Sequence, residues 1–137
     1  MPFQRRRIIV DTNIILRILL KDHQELYEKA LNTFLQAFEH NKHVFILQSV
    51  IAEAVYVLAK LYKIERPKIS EALIKLLENP YVDTQDEETV IEALHIFSHK
   101  KIDFVDCLLC AYAQTEEVES MDRDVIRCME ERGGTRP

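Results

Sequence analysis

Glycine is nearly absent from this 137-residue sequence: there are two, adjacent, at Gly133-Gly134. A Gly-rich phosphate cradle needs glycines spaced along a strand-to-helix turn, so GxGxxG and P-loop nucleotide sites are excluded. Cysteine is also sparse. Cys107, Cys110 and Cys128 cannot all pair with one another, which leads us to expect reduced thiols and a cytoplasmic location. No apolar run approaches the roughly 18 residues of a membrane span. Arg5-Arg6-Arg7 is followed by only three apolar residues, unlike a signal peptide. Positive charge is in deficit, with 18 Lys and Arg against 23 Asp and Glu, for a formal net charge of −5. A passive nucleic-acid binder should be basic, so any role with nucleic acid would have to run through bound cations. What remains is an ordinary globular composition, 47% hydrophobic and 30% charged. A chain of this length buries about 68–70% of its unfolded surface. We therefore expect one domain over residues 1–137, with a core that needs neither disulfides nor structural metal.

Short continuous apolar runs at 8–10 and 44–47 suit strands buried on both faces of a parallel sheet. Tyr81-Val82 reads as a third strand, and 118–121 as a fourth despite Glu119 inside it. Between them the apolar period is helical, over 12–20, 24–39, 50–62 with Ser49 as N-cap, 68–78 behind Pro67, 87–98, 104–116, and 125–132 up to the Gly133-Gly134 stop. Strands alternating with helices imply an α/β fold with a mostly parallel sheet.

In open α/β sheets, ligands bind beyond the carboxyl ends of the strands. Asp11 follows the first strand, Asp122 follows the fourth, and Glu53 lies one turn into the helix after the second. Asp103 and Asp106, three apart and on one face, open a helix whose N-terminus should lie at the same rim. Each acid has a bland explanation: Asp11 and Asp103 as helix caps, Asp106 as a first-turn acid, Asp122 as a turn residue, Glu53 on the one wet stripe of a core helix. Their coincidence on one rim favours a cation site instead. Crowded carboxylates need a compensating charge, and oxygen-only donors select Mg²⁺ or Mn²⁺. Such ions suit phosphoryl chemistry, and two of them would offset most of the net negative charge.

The ordered set Ile8-Ile9-Val10-Asp11-Thr12-Asn13, Ser49-Val50-Ile51-Ala52-Glu53, Asp103-Phe104-Val105-Asp106-Cys107-Leu108-Leu109 and Ser120-Met121-Asp122 resembles the PIN-domain ribonucleases, in particular the short VapC-like toxins. The resemblance spans essentially the whole chain. It implies a three-layer α/β/α fold and a single-strand endoribonuclease using one or two Mg²⁺ or Mn²⁺ ions. Asp11, Glu53 and Asp106 fall on the family's core acidic ligands and Asp122 on its fourth acid. Thr12 and Asn13 brace the first acid, Ser120 stands two residues before the fourth, and Asp124 is an auxiliary acid. The resemblance also implies RNA as substrate, a cognate antitoxin and a homodimer, without membrane attachment. Two departures stand out: the fourth strand is less apolar than usual, and a final short strand would begin only near 135–137.

Cys107-x-x-Cys110 reads as small buried side chains, since no second Cys pair completes a zinc site. Glu92, His95 and His99 share a helical face without a fourth ligand, and Arg5-Arg6-Arg7 lies at the edge away from the acids. Phosphate contacts are expected nearer the acids, from Arg17, Lys21 or Arg123. An antitoxin tail is expected in an apolar groove near Ile14, Ile18 and Leu31, placing an Arg or Lys at the acids. The competing readings are a housekeeping PIN nuclease, a non-catalytic PIN-fold module, and a receiver-like or dehalogenase-like phosphoryl-transfer domain. The last pattern wants a second Asp two residues after Asp11, where Asn13 stands.

Overall fold

A computed structural model of the chain describes residues 7–133. Arg5, Arg6, Gly134 and the short strand expected near 135–137 lie outside the described residues. In chain order the elements are β1 (Arg7–Ile9), α1 (Thr12–Leu20), α2 (Gln24–Glu39), β2 (His43–Ile46), α3 (Gln48–Lys60), α4 (Arg66–Leu77), β3 (Val82–Thr84), α5 (Glu87–His99), α6 (Phe104–Tyr112) and α7 (Arg123–Glu131). This is the expected α/β class, and its sheet is parallel throughout, in the order β1-β2-β3. Register pairs Ile8 with Val44 and Val44 with Val82. The middle strand supplies Val44 and Ile46, both fully buried, which is why its apolar run is unbroken. No described helix is long and apolar enough to cross a membrane.

Helices pack into the core through stripes at i, i+3, i+4 and i+7. In α3 these are Ile51, Ala54, Val55 and Leu58; in α7 they are Val125, Cys128 and Met129. One hydrophobic cluster joins the buried residues of the sheet and helices. Arg66, in the first turn of α4, works as a polar rivet on this packing. Its guanidinium stands 3.8 Å over the Phe97 ring, its Nε donates to the Phe97 carbonyl at 3.0 Å, and a terminal nitrogen donates to the Ile102 carbonyl. Arg66 thereby fixes both ends of the connection between α5 and α6, and with it the point where α6 begins.

Four expectations need correction. The segment 118–121 is not a strand among the described residues. Val118 packs against the core, but Met121 is 99% exposed, and a strand of a buried sheet needs apolar cover on both faces. Ser49 is not the cap of α3: the helix starts two residues earlier, at Gln48 behind Leu47, and Gln85 Oε1 accepts from the orphan N–H of Gln48 at 2.9 Å. Helix α6 ends at Tyr112 rather than 116, where the Thr115 hydroxyl and the Glu116 N–H both turn back to the Tyr112 carbonyl. Finally, Cys110 and Cys128 are disulfide-bonded, and Cys107 alone is a free buried thiol. All three are buried small side chains as expected. Pairing two of them required knowing that α6 and α7 lie side by side. The stop after α7 holds, with Gly133 at φ 68° donating to the Glu130 carbonyl.

Replacing Arg66 by Met keeps its bulk and removes its charge-assisted bonds to two carbonyls. We expect Arg66→Met to cost about 2 kcal/mol of stability, on the scale of hydrogen bonds made by charged groups. Urea unfolding with an unchanged m-value and a lower midpoint checks this; an unchanged midpoint overturns it.

Candidate metal centre

Two helix starts face one another. Helix α6 opens behind Asp103, which takes the N-cap position without a side-chain capping bond, and Asp106 occupies its first turn. Helix α7 opens behind Asp122, whose Oδ1 accepts from the backbone N–H of Asp124 at 2.8 Å and of Val125 at 3.4 Å. The Asp122 N–H in turn donates to Ser120 Oγ at 3.0 Å, so Ser120 shapes the turn that carries Asp122. Each helix N-terminus favours acids in its first turn. Together they bring carboxylate oxygens of Asp106, Asp122 and Asp124 within 4.8 Å of one another. Ligands around a hard cation stand about 4–5 Å apart across it. The donor set is all oxygen, and among the described residues no other group of three or more acids, His or Cys is this tight.

The crowding registers on Asp106. Burial raises its pKa above the usual carboxylate value, and the negative charges of Asp122, Asp103 and Asp124 raise it further. Asp122 and Asp124 are exposed and Asp106 half-buried, so the cluster is open to solvent on one side.

Asp11 and Glu53 form a second group. Asp11 caps α1, its Oδ1 accepting from the Ile14 N–H at 3.1 Å, and the Thr12 hydroxyl donates to Glu53 Oε1. Glu53 is exposed, on the wet stripe of α3 with Tyr56 and Lys60, rather than buried among that helix's apolar residues. Asp11, Thr12, Asn13, Arg17 and Glu53 line a cavity of about 460 Å³. A second cavity, about 620 Å³, is lined by Asp103 and Asp106 together with Tyr56 and Val105. Helix α3 lines both cavities, with Glu53 in the first and Tyr56 in the second.

Of the cationic candidates, Arg17 lines the Asp11 cavity and pairs with Asp22 at 3.2 Å. Lys21 stands 5.7 Å over the Tyr27 ring, and Arg123 is exposed beside Asp122. The group at Glu92 is committed elsewhere, accepting from Arg132 at 2.9 Å. Sequence reasoning ranked Asp124 as auxiliary, whereas the structure places it in the tight cluster. It also missed Tyr56, 62% exposed and three residues after Glu53. Helical periodicity alone could have placed Tyr56 on the same face.

The raised pKa of Asp106 has a definite sign. A carboxyl that binds its proton more tightly when folded stabilises the fold fully below its unfolded pKa, and that contribution is lost as pH rises through the folded value. In metal-free protein at pH 7, we expect Asp106→Asn to be more stable than wild type, with the difference shrinking towards about pH 4. Denaturant midpoints across pH check this; a less stable variant at pH 7 would show Asp106 to be a structural partner.

The PIN domain family model matches residues 8–127. A VapC ribonuclease of Aquifex aeolicus (strain VF5) is 28% identical over 118 residues, covering 84% of this chain and 87% of that protein. No solved structure matches the chain. The family match runs from β1 into α7 and takes in both acidic groups, with Asp11, Glu53, Asp106, Asp122 and Asp124 all inside it. The chain belongs to the PIN-domain family.

Proposed function

We propose that the protein is a divalent-metal-dependent endoribonuclease acting on single-stranded RNA, and that it serves as the toxin of a toxin–antitoxin pair. The observation that carries this reading is the meeting of Asp106, Asp122 and Asp124 at two helix starts in a PIN domain. The similarity to a VapC ribonuclease supports the substrate and the toxin role. In this reading Asp106, Asp122 and Asp124 hold Mg²⁺ or Mn²⁺, as one or two ions, with Asp11 at the start of α1 and Glu53 on α3 as the further carboxylate ligands. Such a cation supplies Lewis acidity and an acidified water for an in-line displacement at phosphorus. The chain's own part is orientation. Thr12 holds Glu53, the α1 start holds Asp11, Ser120 holds the Asp122 turn, and Asp103 and Asn13 add acceptor and amide groups at the rims. Arg17, Lys21 and Arg123 are the cations placed to meet RNA phosphates.

Purified protein on total RNA should cleave with Mg²⁺ or Mn²⁺ and not with EDTA. Asp11→Asn, Glu53→Gln and Asp106→Asn should each lower cleavage by about 100-fold or more. Undiminished cleavage in EDTA, or by all three variants, sinks the proposal.

The partner reading follows from the larger cavity, where the apolar Tyr56 and Val105 sit next to Asp103 and Asp106. That chemistry suits an antitoxin segment with an apolar anchor and an Arg whose planar fork bonds a carboxylate. Besides the expected groove near the half-buried Ile14, Ile18 and Leu31, exposed apolar side chains flank the acids at Tyr56 and Val105 and, beside Asp11 and Glu53, at Leu61 and Tyr62. Co-expression with the neighbouring short gene should yield an inhibited complex, and Tyr56→Ala should weaken it. A complex that cleaves as fast as the free chain would favour a housekeeping nuclease. A homodimer belongs to the same reading, and sedimentation of the free chain tests it.

A further inference from the structure

The Cys110–Cys128 disulfide is the one covalent cross-link among the described residues. Its position follows the acids. Cys110 lies four residues after Asp106 on α6, and Cys128 four residues after Asp124 on α7. Residues four apart share a helix face, one turn from each other. The bridge therefore joins the two faces that bear Asp106 and Asp124, one turn in from where their carboxylates crowd. At the far end of α7, Lys100 donates to Glu131, and Arg132 to Glu92. At its acidic end the Asp122 cap bonds are local to the turn, while the buried Val125 and the disulfide join the helix to the rest of the fold against the mutual repulsion of three carboxylates.

We infer that the Cys110–Cys128 disulfide is the positioning element of the acidic cluster, and that its reduction by a dithiol disperses the cluster and weakens its hold on a divalent cation. The second half rests on the reading of Asp106, Asp122 and Asp124 as cation ligands. The chemistry balances. A dithiol thiolate attacks one bridge sulfur and breaks the S–S bond, giving a mixed disulfide. The reductant's second thiolate then attacks its own sulfur in the mixed disulfide, expelling the remaining cysteine as a thiolate, and the reductant leaves as its own cyclic disulfide. Two electrons and two protons end on Cys110 and Cys128. Both cysteines are buried, so a dithiol reaches them only when the contact between α6 and α7 opens, and reduction follows that opening. Cys107 does not interfere. It is fully buried, and its Sγ lies 3.9 Å from the Ile102 carbonyl, apart from the Cys110–Cys128 bridge.

Three measurements on the full chain test this. Alkylation under denaturing conditions should label one cysteine in protein purified without reductant, and three after dithiothreitol. After reduction and anaerobic removal of the reagent, amide exchange at Asp124 and Val125, whose N–H groups bond Asp122, should quicken. Mn²⁺ binding, read by electron paramagnetic resonance, should weaken about tenfold or more, the scale at which groups that orient metal ligands act. Cys107→Ala should respond to dithiothreitol as wild type does. The Cys110→Ala/Cys128→Ala pair should behave as reduced protein with or without it, and reduced wild type serves where that variant does not fold. Three labels without reductant, or exchange at Asp124 and Val125 unchanged by reduction, overturns the inference. Oxidised protein that binds no Mn²⁺ counts against the metal reading instead, and amide exchange still decides whether the disulfide is the clamp.

Discussion

Like charge held close is the constraint on which the rest of this molecule depends. Three carboxylates brought within 4.8 Å at the starts of α6 and α7 repel one another, and the half-buried Asp106 has its pKa raised first by burial and then by the neighbouring negative charges. The fold offsets this repulsion with helix dipoles, with backbone N–H groups bonded to Asp122, and with core packing behind each acid. Phe104, Cys107 and Leu108 bury the reverse side of α6, and Val125 and Met129 that of α7. The apolar residues between the acids are thus the means by which the acids stay where they are.

Polar networks around the sheet's carboxyl edge serve the same end. Gln48, at the start of α3, donates from its N–H to Gln85 Oε1, just past β3. Its side-chain amide donates to the Tyr112 hydroxyl at 2.8 Å, and that hydroxyl donates to Asp86 at 2.5 Å. One tyrosine at the end of α6 therefore ties together the segments that leave β2 and β3. Arg66 does the equivalent at the beginning of α6. Both ends of the helix that presents Asp106 are consequently fixed by side chains from other elements.

The class of fold, every helix, and three strands were legible because each is written as local periodicity. The two runs 8–10 and 44–47, and the stripe Ile51, Ala54, Val55, Leu58, need no knowledge of distant residues. Asp122 and Asp106 were legible for a related reason, since helix starts attract acids whatever the tertiary context. What could not be read was anything set by contact between remote elements. The cap of α3 comes from Gln85, and the pairing of Cys110 with Cys128 depends on α6 lying against α7. The expected fourth strand failed for a physical reason visible in hindsight: a strand needs a buried face along its length, and Met121 points wholly into solvent.

The place of β1 in the sheet has a consequence for how the protein behaves at high concentration. Among the described residues β1 is an outer strand of the sheet, with Ile9 more than half exposed. An open, apolar edge is a template on which other chains can add strands and grow into aggregates. Here the edge is only three residues long and is headed by Arg7, whose guanidinium stands 4.1 Å over the Phe45 ring. Brevity and a fixed charge make a poor template, so the same few residues that start the fold also discourage its uncontrolled extension.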